Sequence, residues 1–325
     1  MSSKLSICIP TYNRSAYLQE CLESIVNSAQ GVEELVDVIV SDNASEDDTP
    51  KVVARYSSEH SWIRYHRNDV NIGGEKNFRL AAGLGMSDHV WIFGDDDKMT
   101  TEAIPAILKQ IEAGYDLVLC NYSIWSRDFS AMRKQRRFPH AGSIAFEDAN
   151  GLLRTFGIHL GYISSVIIRK SMFLMLPEEE YNALVSCGFP HMYAAHYGLY
   201  PAGRSVYIPE PLFCNRSDNW GEFDWWGYFV EGSSLIFNNL LARGYSSAAV
   251  RSAKRGAIRD YVIPHVLGRK LEGRGAKGLF RTAYRYYKSV PLFWFGVVPA
   301  LLAPRCCVLA VRWLVRKARK RRGCC

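Results

Sequence analysis

The sequence predicts an α/β fold with a mainly parallel sheet. Apolar runs alternate with amphipathic stretches through the first hundred residues, and a polar segment follows each apolar run. Strands that alternate with helices are typical of βαβ units, in which crossover helices join parallel strands. Ligands of such sheets bind beyond the carboxyl ends of the strands, so we expect the polar segments to face one crevice.

The individual elements follow from hydrophobic spacing. A run of adjacent apolar residues predicts a strand that is buried on both faces, and apolar residues three or four positions apart predict an amphipathic helix. These patterns predict a strand over 5–9, a helix over 16–27, a strand over 36–40, a helix over 48–56, a strand over 90–94 and a strand over 162–169.

Three consecutive carboxylates, Asp95, Asp96 and Asp97, follow the apolar run that ends at Gly94. Mg²⁺ and Mn²⁺ prefer oxygen ligands and often bridge one or two protein carboxylates to substrate phosphates. The triplet therefore predicts a site for a hard cation at the edge of the sheet. The alternative is a solvated turn in which Asp97 caps a helix that starts near Thr100.

Polar motifs occur in a fixed order over residues 5–97. They are Pro10-Thr11-Tyr12-Asn13-Arg14, the segment 41–49 that carries Asp42, Asn71-Ile72-Gly73-Gly74 with Asn77, and the acidic triplet. Together they resemble the family 2 glycosyltransferases of the GT-A fold, whose Rossmann-like domain binds a nucleotide sugar. A narrower resemblance, in Gly161-Tyr162-Ile163-Ser164-Ser165 and Gly188-Phe189-Pro190-His191, is to the abequosyltransferase-type subgroup of bacterial surface-polysaccharide enzymes.

The resemblance implies a donor site. In this site Thr11 and Asp42 would contact the base, and Asp95 would face the ribose. Asp95 and Asp97 would bind Mn²⁺ or Mg²⁺, a Lewis acid for the charge that develops on the nucleoside diphosphate leaving group. Gly73 would let the backbone approach the ligand, or else form an ordinary turn. The implied donor-binding residues are Pro10, Thr11, Tyr12, Asn13, Arg14, Asp42, Asn71, Gly73, Asn77, Asp95, Asp96 and Arg216.

The chain departs from this family at the expected catalytic base. Inverting members usually carry a Glu-Asp pair at a helix start, and no such pair follows the strand predicted over 162–169. His191 stands at that position, and an imidazole that titrates near neutrality suits a general base. The alternative is a hydrogen-bonded histidine of the helix start. Glu180 is a second candidate, although three adjacent glutamates also suit the first turn of a helix. Inversion is the family default, and the stereochemical outcome stays open.

The segment after the last predicted strand supplies candidates for binding the diphosphate and the acceptor. Residues 215–219 resemble a flexible loop that folds over the diphosphate, where Arg216 would bind phosphate through two parallel hydrogen bonds. The alternative is an arginine on the surface. Trp220, Trp225 and Trp226 could stack on acceptor sugar rings or lie near lipid head groups, or they could pack on a helix face.

Charge is distributed unevenly along the chain. The formal charge is +8, but residues 276–325 contain twelve Lys or Arg and no Asp or Glu, which leaves 28 basic against 32 acidic residues, or −4, in residues 1–275. A mildly acidic catalytic region argues against nucleic-acid binding. The basic charge belongs to a tail that is also apolar.

This tail is expected to bind an anionic membrane surface. Residues 289–304 are almost wholly apolar, but prolines interrupt them, and a spanning helix needs about 20 predominantly apolar residues. We expect two short helices in the interface, with the basic run 316–322 against anionic lipid. A helical hairpin, one tilted span, or a helical pair packed on the catalytic domain are the alternatives.

Three regions are expected: a GT-A catalytic domain over 1–210, a helical acceptor-side extension over 211–275 and a basic membrane-binding tail over 276–325. The nine cysteines lack zinc-like spacing, and no signal peptide precedes the first strand, which indicates a reducing cytoplasm.

The sequence thus predicts a metal-dependent glycosyltransferase on the cytoplasmic face of the bacterial inner membrane, held peripherally or monotopically through residues 289–322. Its expected substrates are a nucleoside diphosphate sugar and a lipid-linked glycan, such as a polyprenyl-diphosphate oligosaccharide of O-antigen or other polysaccharide assembly. One alternative is a nucleotidyltransferase, which the lack of a glycine-rich basic loop after the first strand disfavours. The other is a catalytically silent, membrane-bound scaffold that binds a nucleotide sugar.

Overall fold

The computed structural model describes residues 3–217, 226–274 and 278–310. Strands in these residues are β1 (Leu5–Thr11), β2 (Val36–Asp42), β3 (Ile63–Arg67), β4 (His89–Ile92), β5 (Lys98–Met99), β6 (Leu117–Trp125), β7 (Met132–Lys134), β8 (Ile144–Phe146), β9 (Val166–Arg169) and β10 (Ser205–Arg216). Helices up to the last strand are α1 (Ser15–Ala29), α2 (Thr49–Glu59), α3 (Gly74–Leu84), α4 (Ala103–Glu112), α5 (Ala149–Phe156), α6 (Lys170–Leu174), α7 (Glu178–Ala183) and α8 (Pro190–Leu199). Later helices are α9 (Ser233–Arg243), α10 (Ser247–Ala257), α11 (Ile263–Leu271), α12 (Leu279–Tyr287) and α13 (Val298–Leu302).

The strands form one sheet with the order β3-β2-β1-β4-β9-β6-β10-β5, and β7 and β8 pair with β6 and β10. Strands β3, β2, β1 and β4 are mutually parallel, as predicted. Strand β9 runs antiparallel between β4 and β6, so the sheet is mixed rather than mainly parallel. The sequence could not show this, because a buried strand has the same apolar pattern in either direction.

The predicted α/β class is confirmed, and the first two strand-helix units lie where the spacing placed them. The early strands are buried along their whole length because helices cover both faces, which explains their unbroken apolar runs. In contrast, the first half of the strand predicted over 162–169 forms short helical turns, and β9 begins only at Val166.

Parallel pairing brings the predicted polar segments together at one edge of the sheet. Strand β1 lies between β2 and β4, with Thr11 opposite Asp42 and Cys8 opposite Ile92. The backbone N–H of Phe93 then donates to the carbonyl of Cys8 at 2.9 Å, which extends this alignment toward the acidic triplet. The polar residues after β1 and β4 therefore meet above adjacent strands.

The sheet continues past residue 210, where we expected the catalytic domain to end. Strand β10 runs to Arg216, and helices α9 and α10 contribute Phe237, Leu240 and Val250 to the same hydrophobic core as the sheet. A second core joins Ile258 and Val262 to residues of the tail, including Tyr287, Phe293 and Val297. The division into three regions stays a prediction.

The described part of the tail forms short helices, α12 and α13, with a helical segment over 305–310. None of the helices in the described residues is long and apolar enough to cross a membrane. The basic run 316–322 lies outside the described residues.

Candidate active site

A cavity of about 740 Å³ opens at the carboxyl ends of β1 and β4. Helix α3, the turns after α5 and the end of β10 complete its walls. Many of the predicted donor-site residues line it, including Pro10, Thr11, Tyr12, Arg14, Asn71, Asn77, Asp95, Asp96, Asp97 and Arg216. The structure therefore brings together residues that are more than 200 positions apart in the sequence.

Asp95 is buried at the centre of this cavity. The Thr11 hydroxyl donates to its Oδ2 at 2.7 Å, and the Arg14 guanidinium donates to its Oδ1 at 3.1 Å. Arg14 also lies 3.4 Å from an oxygen of Asp96. Thr11 thus holds Asp95 in place, whereas the sequence had led us to expect Thr11 at the nucleoside base.

Asp97 is also buried, and donors from two distant segments surround it. The Tyr162 hydroxyl donates to Oδ2 at 2.9 Å and lies 3.1 Å from Oδ1, and the Asn215 amide donates to Oδ1 at 3.3 Å. Tyr162 stacks on Tyr122 with ring centroids 4.7 Å apart, which fixes the direction of its hydroxyl. Asp97 is therefore part of the site and does not cap α4, which begins only at Ala103.

Both buried carboxyls have raised pKa values. Burial and the adjacent Asp96 charge raise the pKa of Asp97 to about 7, although hydrogen bonds from Tyr162 and Asn215 oppose the shift. Burial and Asp96 likewise raise the pKa of Asp95 to about 6, against the opposing effect of Arg14. Carboxylates that resist ionisation in this way gain stability from a nearby positive charge.

The donor set fits a hard divalent cation. It consists of carboxylate oxygens, which Mg²⁺ and Mn²⁺ prefer, and the burial of these two carboxyls beside Asp96 favours a bound cationic charge. Within the described residues, no group of three His, Cys, Asp or Glu side chains could hold a metal ion unaided. A metal ion at Asp95 and Asp97 would therefore need ligands from a substrate, as is usual for cations that bridge carboxylates to phosphates.

A network of asparagines forms the wall beside helix α3. The Asn43 amide donates to Asn71 at 2.7 Å, and Asn77, buried in α3, accepts from the Ser41 hydroxyl at 2.7 Å. Asn71 also accepts from the backbone of Gly73, whose φ of +89° favours glycine. Asn43, Asn71 and Asn77 line the cavity, as does Gly74, while Gly73 shapes the turn behind it.

Besides Gly73, two predicted donor-binding residues lie outside the described lining of the cavity. Asp42 is fully buried, and its oxygens accept from the backbone of Ser45 at 2.8 Å and from the Tyr65 hydroxyl at 2.5 Å. Asn13 has a left-handed backbone with φ of +52° and accepts from the backbone of Glu46 at 2.7 Å. Both side chains tie loops together, because protein donors already bond to their oxygens.

Arg216 is buried and bound to protein groups. Its Nε donates to the carbonyl of Asp96 at 3.1 Å, its NH2 group pairs with Glu20 at 2.9 Å, and its NH1 group donates to the carbonyl of Arg127. The guanidinium also lies over the rings of Tyr17 and Phe129. Arg216 is therefore not a surface arginine, because it is buried and holds the backbone of the acidic triplet from the end of β10. Its predicted contact with the diphosphate stays a prediction.

His191 lies in the cavity wall, close to the start of α8. Its Nε2 pairs with the carbonyl of Gly161 at 3.0 Å, and its Nδ1 has no partner in the described residues. Burial lowers the pKa of His191 to about 4, so the ring is neutral at pH 7 and a weak base. This geometry is closer to the alternative of a hydrogen-bonded helix-start histidine than to a strong general base.

The remaining predicted site residues lie elsewhere. Glu180 is exposed in the first turn of α7 and lies outside the described lining of the cavity. Trp226 packs in the second core, 5.4 Å from the ring of His265, and so supports the tail rather than the cavity. Trp220 and Trp225 lie outside the described residues.

Several lining residues had no role assigned from the sequence. Tyr122, Tyr162, Arg137, His159 and Tyr261 belong to this group. Tyr162 lies within a motif that we had noted, but nothing in its neighbours indicates that its hydroxyl reaches Asp97. Hydrogen bonds over more than 60 positions leave no periodic signal in a single sequence.

Comparison with protein families gives one match. The model described as Glycosyl transferase family 2 matches residues 6–175, just over half of the chain. These residues include β1, β2, β4 and the acidic triplet, but not Arg216 or Tyr261.

Curated relatives include bacterial glycosyltransferases. Abequosyltransferase RfbV of Salmonella typhimurium is 29% identical over 230 residues, which cover 66% of this chain and 67% of that protein. The GalNAc(5)-diNAcBac-PP-undecaprenol beta-1,3-glucosyltransferase of Campylobacter jejuni is 33% identical over 121 residues, or 36% of this chain and 38% of that protein. The second alignment therefore spans well under half of either chain.

Solved structures share the fold at low sequence identity. S. aureus TarS 1–349 superposes with a TM-score of 0.65 at 15% identity, covering 95% of this chain and 91% of that one. The same TarS fragment in complex with UDP-GlcNAc also gives 0.65, at 18% identity, covering 92% and 83%. The mannosyltransferase PcManGT of Pyrobaculum calidifontis, in complex with GDP-Man and Mn²⁺, gives 0.56 at 15% identity, covering 95% and 86%.

Proposed function

Because the chain belongs to glycosyl transferase family 2, we propose that it transfers a sugar from a nucleoside diphosphate donor to a hydroxyl of a lipid-linked glycan in bacterial polysaccharide assembly. The observation that carries this proposal is the buried pair Asp95 and Asp97 at the carboxyl edge of β1 and β4, inside a cavity of about 740 Å³. Such a cavity falls within the range of small-molecule sites.

The donor lies with its nucleoside beside the asparagine wall and its diphosphate at the acidic triplet. Pro10, Tyr12, Asn43 and Asn71 line the nucleoside end. The TarS complex with UDP-GlcNAc and the PcManGT complex with GDP-Man support a nucleotide-sugar donor for this fold. A Mn²⁺ or Mg²⁺ ion at Asp95 and Asp97 would supply Lewis-acid stabilisation of the departing diphosphate.

The chain's own residues prepare this site before the donor binds. Thr11 and Arg14 fix Asp95, while Tyr162 and Asn215 fix Asp97, so neither carboxylate has to reorganise during transfer. Arg216 holds the carbonyl of Asp96 in place. Preorganisation of this kind lowers the barrier because the groups are not reoriented as charge develops.

A lipid-linked acceptor is supported by the tail as well as by the relatives. The glucosyltransferase of Campylobacter jejuni is named for a substrate on PP-undecaprenol. In this chain, Phe280, Tyr284 and Trp294 form one exposed aromatic surface, with ring centroids 5.7 and 6.0 Å apart, and Phe295 beside it is 83% exposed. We call Phe280, Tyr284, Trp294 and Phe295 the aromatic patch.

Basic residues accompany the aromatic patch. Lys288 lies 5.4 Å from the ring of Tyr284, and Arg281 and Arg285 are exposed on the same helix, α12. Aromatic side chains next to Lys and Arg are typical of segments that bind the interface of anionic membranes. Peripheral attachment through this patch would hold the enzyme on the surface that carries a lipid-linked acceptor.

The test uses the full chain in detergent with UDP, GDP, CDP and dTDP sugars, Mn²⁺, and a lipid extract of bacterial membranes. We expect release of one nucleoside diphosphate that requires both the metal ion and the extract, and a rise in melting temperature with the same nucleotide and Mn²⁺. Stabilisation by a nucleotide without release from any donor would favour the scaffold alternative. If no nucleotide stabilises the protein and no donor releases a nucleoside diphosphate, the whole proposal is contradicted.

A further inference from the structure

A chain of polar groups lines the cavity in addition to the predicted donor-binding residues. The Arg137 guanidinium donates to the Tyr261 hydroxyl at 3.0 Å, and the Tyr261 oxygen lies 3.3 Å from Nδ1 of His159. Nε2 of His159 lies 3.3 Å from Oδ2 of Asp260. Arg137, Tyr261 and His159 line the same cavity as the acidic triplet.

The charges fix the direction of these hydrogen bonds. Burial opposes ionisation of Asp260, but hydrogen bonds from Arg259 and His159 outweigh it and hold the pKa of Asp260 well below its usual range. An ionised carboxylate only accepts, so Nε2 of His159 carries the proton and Nδ1 is the acceptor. The Tyr261 hydroxyl therefore donates to His159 and accepts from Arg137.

The order Tyr261, His159, Asp260 matches a general base whose ring is oriented by a carboxylate. A general base works when its imidazole is within hydrogen-bond reach of the proton donor and a carboxylate orients the ring. Between the two histidines in the described lining of the cavity, His159 has a carboxylate partner, whereas His191 pairs with a backbone carbonyl. Burial lowers the pKa of His159, so its ring is neutral at rest, and the hydrogen bond with Asp260, which opposes this shift, stabilises the imidazolium that forms when the ring takes a proton.

We infer that Tyr261, His159 and Asp260 form a proton relay for the acceptor, in which Tyr261 contacts the acceptor hydroxyl and His159 takes the proton. The inference rests on the proposed function, whose sugar transfer needs a base. Tyr261 is the catalytic residue in contact with substrate. His159 receives the proton through it, and Asp260 is a positioning residue.

The step balances in atoms and electrons. The acceptor O–H bond breaks and its proton goes to the Tyr261 oxygen, while the phenolic proton goes to Nδ1 of His159. The acceptor oxygen forms a bond to the anomeric carbon of the donor. The bond from that carbon to the phosphate oxygen breaks, and its electron pair leaves with the nucleoside diphosphate.

A route for the proton lies behind His159. His159 and Asp260 line a second cavity of about 90 Å³, together with Arg154, Arg255 and Arg259. A water needs about 10–15 Å³ of such volume and polar partners, so this cavity can hold several. The imidazolium can return to its neutral form by releasing a proton to water in this second cavity.

Aromatic packing holds the rings of Tyr261 and His159 in place. The ring of Phe229 stacks on Tyr261 with centroids 4.3 Å apart and planes 9° apart, and Phe138 lies 5.1 Å from the ring of His159. These contacts restrict the rotation of both rings. The relay therefore keeps its geometry in the free enzyme, which a base needs in order to act at the moment of transfer.

The test compares two tyrosines that each contact a histidine. Tyr261→Phe removes the relay hydroxyl. Tyr245→Phe is the matched control, because the Tyr245 hydroxyl lies 3.4 Å from Nδ1 of His196, outside the described lining of the cavity. His159→Gln is the second relay variant, since an amide can hydrogen-bond both neighbours but cannot take the proton. The assay is the release of nucleoside diphosphate from the UDP, GDP, CDP and dTDP sugars with the membrane lipid extract as acceptor.

We expect Tyr261→Phe and His159→Gln each to lower kcat by about 10²–10⁴-fold. The KM for the donor and the stabilisation by nucleotide with Mn²⁺ should not change, and Tyr245→Phe should keep its kcat. Retention of kcat in Tyr261→Phe overturns the relay but not the proposed function. A parallel loss of kcat and of nucleotide stabilisation also overturns the relay, because it indicates a structural role for Tyr261. Absence of release by the unaltered chain overturns the proposed function, and this inference with it.

Discussion

The Tyr162 hydroxyl donates to the carboxylate of Asp97, 2.9 Å from Oδ2 and 3.1 Å from Oδ1. Asp97 is buried and Tyr162 is half-buried, and 65 positions of sequence separate them. The contact matters because burial and Asp96 make ionisation of Asp97 unfavourable, and Tyr162 is one of the groups that oppose this effect. The aromatic stack with Tyr122 and Phe213 holds Tyr162 in the direction that the contact requires.

Tyr162→Phe should weaken the metal-dependent binding of nucleotide. A hydrogen bond to a charged group contributes about 1.5–3 kcal/mol, so its loss should reduce the apparent affinity for Mn²⁺ by roughly tenfold or more. The measurement is the melting temperature as a function of Mn²⁺ concentration in the presence of UDP, GDP, CDP or dTDP. Tyr56→Phe is the control, because its hydroxyl contacts the carbonyl of Gln19 away from the cavity. Equal titration curves for the two variants would contradict the role given to Tyr162.

Asp97→Asn should remove transfer while leaving the fold intact. The variant lacks the carboxylate charge, and we expect transfer to fall by about 10²–10³-fold or more. Its melting temperature without metal should stay close to that of the unaltered chain, because burial already opposes ionisation of Asp97. Asp69→Asn changes an exposed aspartate and serves as the control. Near-normal turnover in Asp97→Asn would remove the metal-site hypothesis.

His191→Gln should change the pH dependence of stability. The folded chain holds the pKa of His191 at about 4, below its ordinary 6.5, because the ring is buried. Between these pH values the unfolded chain binds a proton that the folded chain excludes, so the free energy of unfolding falls as the pH falls from 6.5 to 4. At 1.36 kcal/mol per unit, this loss approaches about 3 kcal/mol.

The glutamine variant lacks this titration, and its amide can still donate to the carbonyl of Gly161. The difference in unfolding free energy between the unaltered chain and His191→Gln, measured by urea denaturation, should therefore shift by up to about 3 kcal/mol between pH 7 and pH 4. If the unfolding free energies of the unaltered chain and of His191→Gln change by the same amount between pH 7 and pH 4, the pKa of His191 is not lowered and the prediction fails.

The double substitution Trp294→Ser and Phe295→Ser should release the protein from anionic vesicles. Each aromatic side chain contributes about 1.5–3 kcal/mol when fully buried in an apolar phase, so we expect partitioning to fall by at least about tenfold. The readout is sedimentation with phosphatidylglycerol vesicles. Met86→Ser is the control, because Met86 is 63% exposed and lies outside the tail.

Point substitutions are preferable to deletion of the tail here. Val290, Phe293 and Val297 pack in the second core, so their removal would disturb the protein as well as the patch. Trp294 and Phe295 are exposed, at 46% and 83%, and their loss should leave that core intact. Unchanged sedimentation of the double variant would show that the aromatic patch does not hold the protein on the membrane.

Much of the site's location could be predicted from the sequence. The spacing of apolar residues placed β1, β2 and β4 within two residues of their observed ends, and the polar residues after β1 and β4 do meet at the sheet edge. The resemblance to family 2 glycosyltransferases is confirmed by the family match. The apolar run of a buried strand and the spacing of apolar residues in a helix are local properties, so a sequence displays them directly.

The roles of individual polar side chains could not be predicted in the same way. Asp42 and Arg216 have the residue types and positions expected of ligand contacts, but both already bond to protein groups, among them Tyr65 and Glu20. Glu180 stands close in sequence to the expected base and points to solvent. A side chain's partner depends on which distant segment packs against it, and a single sequence does not contain that information.

By itself, then, the sequence determined the strand-helix order and the acidic edge of the sheet, because hydrophobic period and the polar residues after each strand act over a few positions. Tertiary structure alone decided that β9 runs antiparallel, that Tyr162 supports Asp97, and that His159 meets Tyr261 and Asp260 across some 100 positions. The physical reason is that these contacts arise only when the sheet and the later helices pack into one core, which places side chains from distant segments around the same cavity.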